Sequence, residues 1–153
     1  MATTSGILAV DIGGTKLAAA VVTAQGDIIR RDRVATPARA PWTTLSTLIK
    51  RIQAAASDIE LVACGVACGG PMQIGGTEVS PLHIPAWVDF PLLSSISELT
   101  GLKTYIDNDA KALALAEGWL GAARGCAHFM AVVIGTGVGG GLVVNHRLAV
   151  GRT

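Results

Sequence analysis

Apolar side chains run from Ile7 to Val10 and again from Leu17 to Val22, and the segment IGGT between them is built to turn. The two stretches predict buried strands at Ile7–Asp11 and Lys16–Thr23, joined as a hairpin. A second turn over Ala24–Asp27 leads into a strand near Ile28–Val34, whose cluster of charges marks an edge facing water. Past Pro37 and Pro41 the period changes. Trp42, Leu45, Ile49, Ile52 and Ala56 recur at helical spacing, with Lys50 and Arg51 left for solvent.

Leu61–Ala67 predicts another buried strand, followed by a long loop from Cys68 to Val88. Pro91 suits a first helical turn ahead of Leu92, Leu93, Ile96 and Leu99, and Gly101 closes that helix. Lys103–Ile106 returns as a strand. DNDAKALALAEGWLG then opens on capping residues, continues in strong helix formers and stops near Gly121. Three strands, then helix, strand, helix, strand and helix, make an α/β order that suits a mixed sheet with helices on its faces. A glycine-rich hairpin ends the chain: Phe129–Ile134, a turn over Gly135–Gly140, then Leu142–Asn145. A boundary near Gly121–Gly125 is expected, with one domain over residues 1–122 and the beginning of another over 123–153.

Composition narrows this picture. A chain of 153 residues holds one domain and is short for two. Half of it is hydrophobic and 15% is charged, which predicts a packed core. The net charge of +1, without a basic run, argues against a nucleic-acid partner. The start MATTSG lacks the features of a signal peptide, and no apolar run approaches the ~18–20 residues that cross a bilayer. Cys64, Cys68 and Cys126 form no metal-binding pattern, so a reducing cytoplasm is the expected compartment. The 19 glycines exceed what strands and helices need, and they direct attention to ligand-facing turns.

Four segments carry candidate chemistry. In DIGGTK, Gly13 and Gly14 let backbone N–H groups approach a phosphate, Thr15 adds a hydroxyl and Lys16 a positive charge. Asp11 can hold a magnesium ion through water, since hard cations prefer oxygen. The plainer reading is a hairpin turn with Asp11 as its cap. The spacing is not that of a P-loop. GTGVGGG, with Gly135, Thr136, Gly137 and Gly139, contains the spacing G-x-G-x-x-G. A dinucleotide fold would require a helix next and an acidic residue ~20 positions on. LVVN continues as strand instead, so a phosphate-cradling hairpin fits better.

In DNDA, Asp109 can take the proton of a hydroxyl as it attacks phosphorus, and Asn108 can bond neighbouring hydroxyls. Alone, both residues read more simply as helix caps. In GVACGGP, Gly69 and Gly70 admit a flat ring against the backbone or merely make a sharp turn.

Together, DIGGTK, NDA with its following glutamate, and GTGVGGG resemble the ROK family of sugar kinases, within the actin and hexokinase superfamily. The resemblance runs from about Ile7 to the last residue. It implies a ribonuclease-H-like first domain, an ATP whose phosphates are gripped by the two glycine hairpins, and a hexose phosphorylated at its 6-hydroxyl. It further implies that Asp109 is the catalytic base, that Asn108 and Gly70 touch the sugar, and that Glu117 serves structure. Family members often carry asparagine where Lys111 stands, PGP where Gly69-Gly70-Pro71 stands, and asparagine near His83, which is expected to be a loop hydrogen-bonder. Members also continue through a sugar-binding histidine and a zinc-binding cysteine cluster, neither of which occurs here. The chain is therefore expected to be half of a kinase, with association into dimers or larger species. A sugar-responsive repressor is disfavoured, since only ten residues precede Asp11.

Overall fold

The computed structural model describes residues 5–134 and 138–150. Two compact units emerge, Met1–Asp107 and Asn108–Thr153.

The first unit is built on β1 (Ser5–Ile12), β2 (Lys16–Val22), β3 (Ile28–Ala35), β4 (Glu60–Cys68) and β5 (Thr104–Asn108), whose last residue begins the second unit. Their order in the sheet is β3-β2-β1-β4-β5. β1 runs antiparallel to β2 and parallel to β4, and β3 forms the charged edge that the sequence anticipates. Alternation decides which face becomes core. Leu8, Val10 and Ile12 of β1, Leu17, Ala19 and Val21 of β2, and Cys64, Val66 and Cys68 of β4 are all buried.

Helices α1 (Pro41–Ala55) and α2 (Leu92–Thr100) join that core through Leu45, Leu48, Ile49, Ile52, Leu92 and Ile96. Each such side chain stabilises by about 1.5–3 kcal/mol when fully buried. Pro41 stands at the first helical position of α1, and Gly101 (φ 69°) ends α2 in the left-handed region where glycine costs least. Arg51 of α1 pairs with Asp32 of β3 at 2.6 Å; this exposed pair adds at most about 1 kcal/mol.

The long loop after β4 is ordered by its own contacts. Val79 pairs with both Met72 and Phe90, and Trp87 stacks on Phe90 at 4.5 Å. Val79, Ile84 and Trp87 are buried, so the loop is anchored in the core.

The second unit contains α3 (Asp109–Trp119), β6 (Phe129–Ile134), β7 (Val138–Val144) and the two-residue β8 (Arg147–Leu148), with sheet order β6-β7-β8. β8 had no signal in the sequence. This unit begins at α3 because α3 packs on the hairpin. A Cβ at Gly141 would lie 2.5 Å from the Cβ of Ala114 and 3.0 Å from the carbonyl of Ala110, and one at Gly139 would lie 3.0 Å from the Cβ of Ala110. Bare glycines on β7 let an alanine-rich helix come this close.

Candidate functional site

In the first unit, the parallel register of β1 and β4 sets the site. Asp11 stands opposite Ala67 and Ile12 opposite Cys68, so both strands deliver a glycine turn at the same edge of the sheet. Ligand sites of α/β sheets gather at such carboxyl ends. One turn is Gly13–Thr15, the other Gly69–Gly70.

The first turn is held from several sides. Gly13 N–H donates to the Lys16 carbonyl at 3.0 Å, Thr36 N–H to the Thr15 carbonyl at 3.1 Å, and the Thr36 hydroxyl to the Gly13 carbonyl at 2.6 Å. The amide of Gly13 is thus spent on closing the turn. Those of Gly14 and Thr15 donate to no described residue and stand with the Lys16 side chain at the surface. Asp11 is exposed at the end of β1. Among the described residues no group of three or more His, Cys, Asp or Glu could enclose a metal. One exposed carboxylate at a strand end fits at most a magnesium ion that keeps most of its waters, since that ion dehydrates reluctantly.

The second turn contacts the long loop. Leu82 N–H donates to the Gly70 carbonyl at 3.2 Å, and Ser80 N–H to the Pro71 carbonyl at 2.9 Å. The next residue, His83, packs on the first turn. A Cβ at Gly14 would overlap the Cβ of His83 and lie 3.0 Å from its Cγ. The sequence had no signal for this neighbour, because a contact across such separation leaves no local pattern. The expectation of a loop hydrogen-bonder is not met: His83 is exposed and hydrogen-bonds to no described residue.

In the second unit, Asn108 is the N-cap of α3, its Oδ1 accepting the Ala110 N–H at 3.1 Å. Asp109 also accepts that N–H, at 2.8 Å, and its carboxylate is exposed. The capping reading therefore describes both residues, and leaves the Asp109 carboxylate open to solvent. Glu117 accepts the Ala122 N–H at 2.8 Å, closing the turn after α3. Gly139 faces α3, so it has a packing task. Gly135, Thr136 and Gly137 lie outside the described residues. The alanines at 110 and 114 and the glycines at 139 and 141 were a readable signal of close packing, one with helical and one with strand period.

The cysteines carry no site chemistry. Burial pushes the Cys64 thiol up from 9.0 to about 12, with a Thr104 hydrogen bond pulling the other way, so it stays neutral. Cys68 is buried as well, and Cys126 is exposed.

Comparison with known proteins decides the family. The model of the ROK family matches residues 7–153. This chain belongs to the ROK family. It is 37% identical over 148 residues to the N-acetylmannosamine kinase of Yersinia pseudotuberculosis, an alignment that takes in 95% of this chain and 49% of that protein. A ROK family glucokinase from Streptomyces griseus, solved with glucose and AMPPNP, superposes with a TM-score of 0.83 at 33% identity, over 97% of this chain and 47% of the other. The ROK hexokinase of Thermus thermophilus gives 0.84 at 32% identity, over 95% and 49%. The chain spans about half the length of these relatives, all sugar kinases. Its fold is that of the actin and hexokinase superfamily, as the ROK motifs imply. Among the described residues no helix is long and apolar enough to cross a membrane.

Proposed function

We propose that this chain carries the phosphate-gripping and hydroxyl-activating half of an ATP-dependent hexose kinase that acts in the cytoplasm on the 6-hydroxyl of its sugar. Glucose is the preferred substrate, ahead of N-acetylmannosamine or fructose. The observation that carries the reading is the β1–β4 register, which lines up the DIGGTK and GGP turns at one sheet edge in a family whose relatives are sugar kinases.

In this reading the free amides of Gly14 and Thr15 and the ammonium of Lys16 hold phosphate oxygens, helped by Gly13 as the bend and by Gly135, Thr136, Gly137 and Gly139 of the other hairpin. Asp11 would hold magnesium through water, and that ion would neutralise charge on the phosphates. Gly70 and Asn108 seat the sugar. Asp109, with its exposed carboxylate, takes the hydroxyl proton as oxygen attacks phosphorus, a role worth roughly 10²–10⁴ in rate. Positioning and electrostatics supply most of the rest.

A second reading rests on a different observation: one face of the β6–β7 hairpin is open and apolar, with Met130 66% and Ile134 81% exposed. The chain alone would then bind or self-associate without turning over. A coupled ADP-release assay with glucose, N-acetylmannosamine and fructose separates the two. Turnover that Asp109→Asn abolishes establishes the kinase; no turnover on any hexose, with a chain that sediments as a dimer or larger, establishes the incomplete fragment.

A further inference from the structure

The loop that carries His83 connects the two glycine turns of the first unit. Its Leu82 amide is bonded to Gly70, and its His83 Cβ and ring base are pressed on Gly14. We propose that His83 is a direct ligand of the terminal phosphate of the bound nucleotide, placed where the transferred group meets its acceptor. This deepens the kinase reading and rests on it.

Three observations support the assignment. First, His83 is held in place rather than left to wander. Pro81 and Ile84 on either side are buried, Ile84 N–H donates to the Pro81 carbonyl at 2.9 Å, and Trp87 N–H to the Ile84 carbonyl at 2.9 Å. Ser80 and Asp89 close the base of the loop, Asp89 N–H donating to the Ser80 hydroxyl at 2.9 Å. A ligand group on such a support needs little ordering when substrate arrives.

Second, Gly14 has no room for a side chain because His83 fills that space, so glycine at this position serves the histidine as well as the turn. The pairing brings a ring with N–H donors to the surface that offers the amides of Gly14 and Thr15.

Third, the imidazole bonds to no described residue and is exposed. A neutral imidazole always has one N–H to donate, and an imidazolium has two. Beside two free amides, one more donor suits the doubly charged end of a triphosphate better than a sugar hydroxyl.

The test is titration of the 153-residue chain with AMPPNP, ADP and glucose, by calorimetry with magnesium present, in the wild type, His83→Ala and His83→Asn. His83→Ala is expected to weaken AMPPNP about tenfold, the loss of one hydrogen bond to a charged group, and to leave ADP, which lacks the terminal phosphate, and glucose within twofold. His83→Asn, which keeps an N–H donor, is expected to recover most of the AMPPNP affinity. Equal AMPPNP affinity in wild type and His83→Ala overturns the inference and leaves the kinase reading standing. A loss confined to glucose, or equal for AMPPNP and ADP, also overturns it. A wild-type chain that binds neither nucleotide overturns the inference, since no terminal phosphate then reaches His83, while the kinase reading is judged by the ADP-release assay. Unchanged thermal melting of both variants confirms that the effect is local.

Discussion

The two glycine hairpins begin from one sequence pattern, an apolar strand, a glycine turn and another apolar strand, and end in different surroundings. The β1–β2 hairpin lies inside a five-stranded sheet, and Leu8, Val10, Leu17 and Val21 on one of its faces are buried in one core with residues of α1 and α2. Its glycines sit at the bend, where Gly13 closes the turn and Gly14 gives way to His83. The β6–β7 hairpin has α3 against one face. Gly139 and Gly141 are on that face and make room for Ala110 and Ala114, while Met130, Val132, Ile134, Val138, Leu142 and Val144 are exposed. A glycine-rich hairpin is therefore not by itself a phosphate site: its glycines can serve a helix, and only what covers the strands tells which.

Core substitutions probe the contrast most strongly. Leu17→Ala, in the buried hairpin, is expected to cost about 2–5 kcal/mol of stability. Val132→Ala, on the open face of the other, should stay within about 0.5 kcal/mol. Urea unfolding followed by circular dichroism measures both. Equal losses would mean that the open face is covered in solution.

Glycine substitutions come next. Gly141→Ala drives a methyl into Ala114 and should cost about 1–3 kcal/mol, with faster amide exchange in α3. Gly65→Ala, on β4, meets nothing within 4 Å and should be neutral or slightly stabilising. A neutral Gly141→Ala would break the account of why α3 groups with the hairpin.

Charging the open face tests it as a contact surface. Met130→Lys combined with Val132→Lys should shift a self-associated chain to monomer in analytical ultracentrifugation, with melting nearly unchanged. The corresponding face of the first hairpin has no such apolar display to disrupt.

The smallest effect concerns pH. The folded chain holds the Cys64 proton to about 12, whereas the ordinary value is 9.0. Between those values the unfolded chain has lost a proton that the folded chain keeps, so this contribution is intact below pH 9 and is lost as pH rises toward 12. Denaturant midpoints should fall less with pH in Cys64→Ala than in the wild type. At neutral pH a thiol reagent should label the exposed Cys126 quickly and Cys64 only on unfolding.

Much of this was legible beforehand because it is local. Apolar period, proline and glycine positions and capping residues act within a few neighbours, and they predicted every strand of the five-stranded sheet, all three long helices and the second hairpin. The motifs DIGGTK and GTGVGGG likewise named the family from residues close in sequence. What only the tertiary structure decided are relations between distant residues. The register that aligns Asp11 with Ala67, the packing of His83 on Gly14 and the fit of α3 to bare glycines all depend on backbones meeting after long chain excursions. Packing is short-ranged in space and indifferent to separation along the chain, so no window of sequence contains it.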